Sequence, residues 1–472
     1  MRGYYKDIVL NVIPKILSSI DSNPLSKTYG CLDKNYWCYK TSDFPSSRFQ
    51  EAMLSLALLY TTKFSGNTYY DNKKIKELAV AALNFWSKIQ KKDGSYDEWY
   101  PNEHSFCATS FSLYSATETY LLLNLNDNNI INKFLRSAKF LFKSEKVANQ
   151  EIGSITALYN VYLIKRYDKI KEIIDNKLNN LKQNQEGWFY EYNGPDFGYQ
   201  TLSIEFLAKY YEKSKDRRVL SIIDKALEFM KYFVQPDGSI SKIGSRNTQL
   251  FFPYGFEAIN NNISNYIAEI CYKNIKNNLN PEKMDDRYSF PYHISYLQSI
   301  NFNNKRYRKT NITKKYFKQA GLFIYNNEHY YLIVNLKKGI FTIFNPKRKD
   351  DHGYFAKYNN HIITTQENNS YEISDNRLII KGNFKEIFPL QQLSPVKNIA
   401  LRFLLLLNIN IKSLLRKKMI LNLKNTNLKF KRTIILKEKD IEVIDELPKN
   451  LKFYNADIKP VYVPTSNFYS RI

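Results

Sequence analysis

The chain has 472 residues, a formal net charge of +25 and 43% hydrophobic residues. That length exceeds one ordinary core, and that apolar content excludes a disordered chain, so two large domains are expected. The charge favours a polyanionic partner. The basic residues are dispersed and form no DNA- or RNA-binding motif, which ranks an acidic glycan or a membrane surface above nucleic acid.

The N-terminal stretch MRGYYKDIVLNVIPKIL lacks the long apolar core of a secretion signal and reads as an amphipathic helix. A cytoplasmic protein, peripheral at the inner membrane face, is the expectation. The next helical stretches are AMLSLALLYTTKF, IKELAVAALNFWSKIQ, TSFSLYSATETYLLL, INKFLRSAKFLFKS, IGSITALYNVYLIKRY, YQTLSIEFLAKYYEKS and VLSIIDKALEFMKYFV. All carry apolar residues at helical spacing. A turn recurs between them, as QKKDGSY, NQEGWFY and QPDGSIS, with Glu151-Ile152-Gly153-Ser154 as a degenerate copy. Gly after an acidic residue suits a turn that needs positive φ and ends a helix. Its return at intervals of roughly 35 to 60 residues signals an array of helix pairs. An open solenoid fits the spacing. A closed (α/α) toroid fits better, because polar and aromatic residues gather after these turns.

From Lys314 onward the pattern changes to period two and to β-branched and aromatic residues. YFKQAGLFIYNN, HYYLIVNLKKGIFTIF, YEISDNRLIIKGNF and LKFKRTIILKEKDIEVIDEL predict an antiparallel β-sandwich. The expected division is a toroid over 1–312 and a sandwich over 313–472. Within the latter, IALRFLLLLNINI followed by KSLLRKK is a basic amphipathic segment near 399–418. It is too short to span a bilayer and suits a membrane-surface contact or packing on its own domain.

The 38 tyrosines against 4 tryptophans suit a sugar cleft, although most copies must be structural. The four cysteines, Cys31, Cys38, Cys107 and Cys271, show no CxxC or zinc spacing and read as free thiols; Cys31 and Cys38 are close enough in sequence to pair. No metal and no other cofactor is expected.

Four segments hold candidate chemistry. In DEWYPNEHSF, Pro101-Asn102 is read as a helix start, so that Asn102, Glu103 and His104 lie in a first turn able to bind a substrate carboxylate. Trp99 precedes them as a sugar contact. The plain alternative is an N-cap at Asn102. In GWFYEYNGPDFGYQ, Tyr199 sits near a helix start as a candidate acid/base, with Tyr192 as a binding residue. In DGSISKIGSRNTQLFFPYGFEA, Arg246, Asn247 and Tyr254 fall in a long polar loop, and Arg246 suits bidentate carboxylate recognition. In KRKDDHGY, His352 follows two acids and is a candidate to swing over the toroid's mouth.

PNEHSF, GPDFGYQTLSIEFLAKYY and GSRNTQLFFPYGFEA, followed by GLFIYNNEHYYLIVNLKKGIFTIF and DDHGY, resemble the heparinase II/III-like proteins. Toroid-type alginate lyases are similar. The resemblance implies β-elimination at a uronate. The substrate carboxylate is neutralised, a Tyr or His removes the C5 proton, and a Tyr protonates the departing O4. Residue by residue it implies roles for Asn102, His104 and Tyr199, and for His352 in the β domain, with Arg246 and Asn247 binding substrate. The metal-binding histidine cluster of some members has no counterpart here. A lyase acting on an acidic polysaccharide or oligosaccharide is therefore expected. A uronate C5-epimerase and a non-catalytic glycan-binding or assembly protein are the alternatives.

Overall fold

The computed structural model describes residues 2–191, 194–245, 250–308, 313–346, 348–353, 355–359, 361–365, 369–387, 394–407 and 423–453. The first twelve long helices are α1 (Gly3–Ser19), α2 (Ala52–Thr61), α3 (Lys73–Lys88), α4 (Phe106–Leu122), α5 (Asn128–Phe140), α6 (Ala148–Ile164), α7 (Asp168–Asn179), α8 (Phe197–Ser214), α9 (Arg217–Met230), α10 (Pro253–Ala258), α11 (Asn262–Lys273) and α12 (Asp286–Ser299). The even-numbered helices touch in a closed cycle: α2 on α4, α4 on α6, α6 on α8, α8 on α10, α10 on α12, and α12 back on α2. Each odd-numbered helix packs outside this cycle, α1 on α12 and each of the others on the helix before it.

The two rings differ in sequence for a physical reason. An outer helix has one wet face, so α9 buries only Val219, Ile223, Ala226, Leu227, Phe229 and Met230. An inner helix is covered all round. The inner α4, FCATSFSLYSATETYLL, is buried from Ala108 to Tyr120 without interruption. Its many small side chains let neighbours approach closely, and Thr117 satisfies its buried hydroxyl on the Leu113 carbonyl at 2.8 Å. Gly153 lies inside inner helix α6, not in a turn, and a Cβ there would sit 2.6 Å from Phe111.

The recurring turns are one structure repeated. In each, an N–H donates to the carbonyl four residues on, and the glycine N–H donates back: Lys91 to Ser95 and Gly94 to Lys91, Asn184 to Trp188 and Gly187 to Asn184, Gln235 to Ser239 and Gly238 to Gln235. Gly94 has φ +89° and Gly187 φ +100°. A Cβ at either would lie 2.2 Å from the Arg136 carbonyl oxygen or 2.1 Å from that of Lys225. The glycine thus supplies both the left-handed conformation and the close approach of each turn to the next outer helix. Gly30, against Ala81, is a further copy of this contact.

Closure falls on the N-terminus. Arg2 is fully buried and pairs with Glu257 at 2.9 Å and Glu269 at 2.7 Å. His293 of α12 reaches Ser55 Oγ of α2 at 2.9 Å and the Val9 carbonyl of α1 at 3.2 Å. One imidazole therefore ties the three helices at the seam.

Two antiparallel sheets follow. The first has the order β1 (Lys314–Phe317), β2 (Leu322–Asn326), β3 (Tyr331–Asn335), β4 (Ile340–Asn345) and β5 (Arg348–His352). The second is built from β6 (Phe355–Tyr358), β7 (His361–Thr364), β8 (Ser370–Ile373), β9 (Arg377–Ile387), β10 (Leu423–Leu436), β11 (Ile441–Glu446) and β12 (Lys452–Phe453), in the order β11-β10-β9-β7-β6-β12 with β8 on β9. Phe323, Leu332, Val334 and Phe341 of the first sheet share a core with Leu378, Ile380, Phe430 and Ile434 of the second. The other face of the first sheet, Leu322, Ile324, Tyr331 and Ile333, joins the helical core. That double burial explains the unbroken apolar run of YYLIVN. A thirteenth long helix, α13 (Pro395–Leu406), lies between β9 and β10 in the chain. Residues 408–418 of the basic segment lie outside the described residues. The four cysteines are free thiols.

Burial lowers the His293 pKa from 6.5 to about 4. The unfolded chain takes up this proton as pH falls through 6.5, and the fold refuses it until about 4. This group's contribution is therefore complete above 6.5 and shrinks by about 3 kcal/mol as pH falls to about 4. Urea melts across that range are expected to show a steeper acid loss for the native chain than for His293→Gln. Equal slopes would place the imidazole in water.

Candidate active site at the N-terminal face of the ring

The inner helices run in the same direction, start beside start. Ser110 Oγ near the start of α4 donates to the Gln150 carbonyl in the first turn of α6. Asn149 in that turn donates backbone N–H and side-chain Nδ2 to the two Glu191 oxygens, both at 2.7 Å, just ahead of α8. The Phe252 N–H before α10 meets Thr201 of α8, and Arg287 at the start of α12 meets Glu98 ahead of α4. The N-termini, with their unpaired N–H groups and positive dipole ends, therefore share one face.

The loop before α4 is pinched at its base by Tyr96 and Ser105. Asn102 and His104 have φ +60° and +51°. That conformation is incompatible with a helix, so the expectation of a first turn at Asn102 is corrected: α4 starts at Phe106, with Ser105 as its cap. The loop is wrapped instead around the Asp97 carboxylate. It accepts from the Asn102 and His104 backbone N–H groups at 2.9 and 3.2 Å and from Lys91 Nζ at 2.7 Å. Lys91 also donates to Asn102 Oδ1 at 3.1 Å. Glu103 accepts from the Glu98 and Trp99 N–H groups at 3.0 and 2.6 Å, which makes it a brace of the loop. The backbone donors foreseen for a substrate carboxylate are thus already engaged.

The His104 ring is oriented by the preceding turn. Its Nδ1 lies 2.8 Å from Asp93 Oδ2 and 2.8 Å from Ser95 Oγ. Burial pushes the Asp93 carboxyl up, but hydrogen bonds from Ser95 and the charge and bond of His104 outweigh it and hold it below the usual range. A carboxylate on one imidazole nitrogen fixes the orientation of the ring, the arrangement of an oriented general base. Tyr199 lies in the first turn of α8, its N–H bound to the Asp196 cap at 2.8 Å. Beside it, Ser245 N–H donates to the Pro195 carbonyl at 2.7 Å, so the segments flanking Tyr192 and Arg246 adjoin. Tyr192, Arg246 and Asn247 themselves lie outside the described residues.

Tyr254 is elsewhere. Its hydroxyl donates to Glu212, thirteen residues along α8 from Tyr199, or about 20 Å at the helical rise. It belongs to a cluster deep in the ring with Lys209 and Glu205, which pair at 2.6 Å, and with Glu118, Asn160 and Lys213. Burial, then Glu212, pushes its hydroxyl well above the tyrosine range. His352 ends β5, the edge strand of the first sheet, opposite Phe341. That sheet borders the site: Asn335 Nδ2 donates to the Ile243 carbonyl at 2.8 Å and Lys338 Nζ to that of Ser245 at 2.7 Å.

Sequence reading missed an ionic cluster at this face. Arg48 pairs with Glu51 at 2.6 Å. Arg287 pairs with Glu98 at 2.9 Å and stacks 3.2 Å from the ring centroid of Trp99, which is 47% exposed. Burial pushes Glu98 up, but Arg287 and Arg48 hold it below the usual range. Burial pushes Glu51 up to about 7, with Arg48 opposing and Glu98 adding. Burial and Glu98 raise the Cys107 thiol, which keeps it protonated and a poor nucleophile. Arg48 and Glu51, three apart on a short helical turn, carried a faint signal. The Arg287–Glu98 pair spans 189 residues of sequence and carried none.

The chain matches no protein-family model and no curated protein by sequence. Solved structures do align with it. The Paenibacillus xanthan lyase structure covers 93% of this chain at 10% identity and TM-score 0.57. The Streptomyces coelicolor A3 chondroitin AC lyase, solved with chondroitin sulphate, covers 82% at 8% identity and TM-score 0.50. A cellobiose 2-epimerase from Bacillus thermoamylovorans B4167 aligns over 64% at 10% identity and TM-score 0.47. The chain spans 45% of the xanthan lyase and 66% of the chondroitin lyase. At these identities the likeness to the two lyases is one of fold.

Arg287→Leu is expected to lower stability by about 3–5 kcal/mol in urea melts, because it strands the nearly buried Glu98. The same change at Arg402, in an exposed pair with Asp43, should cost less than about 1 kcal/mol. Similar losses for the two would mean that water reaches Glu98.

Proposed function

We propose that the chain is a toroid-plus-sandwich polysaccharide lyase, with the helical ring over 1–312 as its catalytic domain and the sheets over 313–472 as its companion. It cleaves an acidic, uronate-containing glycan by β-elimination. The motifs PNEHSF and GPDFGYQTLSIEF favour the heparinase II/III-like group. The observation that carries this reading is that His104 with Asp93, Asn102 with Lys91, and Tyr199 each lie next to the N-terminus of an inner helix, on the face those N-termini share. The shared fold of two polysaccharide lyases supports it.

The chemistry follows from the groups. A uronate carboxylate docks at the positive ends of the inner-helix dipoles, with the Asn102 side-chain amide, held through its oxygen by Lys91, as donor. Neutralising it acidifies the C5 proton. His104, oriented by Asp93, removes that proton. Tyr199 delivers a proton to O4 as the C4–O4 bond breaks, leaving a 4,5-unsaturated uronate. Trp99, backed by Arg287, offers one indole face to a sugar ring.

Incubation with a panel of uronate polymers is expected to produce the ultraviolet absorbance of the unsaturated product. Tyr199→Phe and His104→Ala should each lower kcat by about 10²- to 10⁴-fold with unchanged circular dichroism. A flat trace across the panel contradicts the lyase reading. Deuterium uptake at C5 without cleavage would identify a C5-epimerase instead.

A further inference from the structure

Helix α13 has two apolar faces. At 100° per residue, Leu401 and Leu405 point one way, and each is 5% exposed. Val396, Ile399, Phe403 and Leu406 point the opposite way and are 76%, 68%, 60% and 63% exposed. The inner face seats the helix. Arg402, on its flank, pairs with Asp43 at 2.5 Å, in the loop that leads into α2 at the polar face of the ring. Four large apolar side chains in one exposed stripe exceed the scattered ones a soluble surface carries, and mark a contact.

The charge says with what. From Ser394 to Lys418 the sequence has six cations, Lys397, Arg402, Lys412, Arg416, Lys417 and Lys418, and no Asp or Glu. Two copies meeting through this stripe would press like charges together on chains of net charge +25. An anionic bilayer accepts both properties, the stripe in its acyl boundary and the cations among its headgroups. A 12-residue helix is about 18 Å long, well short of the ~30 Å hydrocarbon core, and no helix among the described residues is long and apolar enough to cross a membrane.

We infer that α13 is a membrane-surface element that lies in the interface of an anionic bilayer and holds the Asp43 side of the ring face beside it. The full chain, sedimented with vesicles of phosphatidylcholine containing phosphatidylglycerol, is expected to bind them at low salt and to bind phosphatidylcholine vesicles much less. High salt should release part of it. The double variant Ile399→Glu, Phe403→Glu should lose binding on the order of tenfold or more, with unchanged circular dichroism and urea midpoint. No binding to the anionic vesicles overturns the inference. So does equal binding by the double variant, which would leave diffuse charge as the cause. A dimer in sedimentation velocity that the double variant abolishes, without vesicle binding, assigns the stripe to a second copy and also overturns it.

Discussion

Closing six helices into a ring is the constraint from which the rest of this structure follows. A closed cycle leaves the inner helices largely without a wet face, so their charged side chains must pair with one another, whereas the outer helices are amphipathic. The cycle also runs every inner helix the same way, which gathers their N-termini on one face. The seam is made by the N-terminal helix, through a buried arginine between two glutamates and a histidine shared by three helices. Such groups are costly to bury and tolerable only when every partner is in place.

The two ends of the ring are chemically unlike. Deep inside, Glu118, Glu205, Glu212, Lys209 and Lys213 satisfy one another and hold Tyr254. This is a filled polar interior. At the N-terminal face the carboxylates instead fix loops and one ring: Asp93 the His104 ring, Asp97 the Asn102–His104 backbone, Glu191 the start of α6. Lys91 is paired with Asp97, and the inner-helix N-termini add positive potential there. On the proposed reading, this face serves a reaction whose first requirement is the neutralisation of a substrate carboxylate.

The architecture was legible because its cause is periodic. Helical spacing, the acidic-glycine turn and the change to period two at Lys314 are each set by local geometry, and each reports on it. Gly153 misled because a glycine required by helix–helix contact with Phe111 carries the same letter as one required by a turn. The site was legible only in part. The Asn102–His104 loop was found from its polarity, yet its conformation depends on Asp97 and on two positive φ values that non-glycine residues do not advertise. Tyr254 resembled its neighbours in the loop, and only the packing of α10 on α8 sends it to the far end. The Arg287–Glu98–Trp99 stack joins segments 189 residues apart, so nothing in either segment announces the other.

The most direct test of a uronate site at the N-terminal face is a crystal structure with a bound uronate oligosaccharide, using a His104→Ala chain to prevent turnover. The expected result is a sugar carboxylate within hydrogen-bond distance of Asn102 and an adjacent ring against Trp99, with O4 directed at Tyr199. An oligosaccharide bound at the Tyr254–Glu212 end, or on the sheets with the N-terminal face empty, would contradict it.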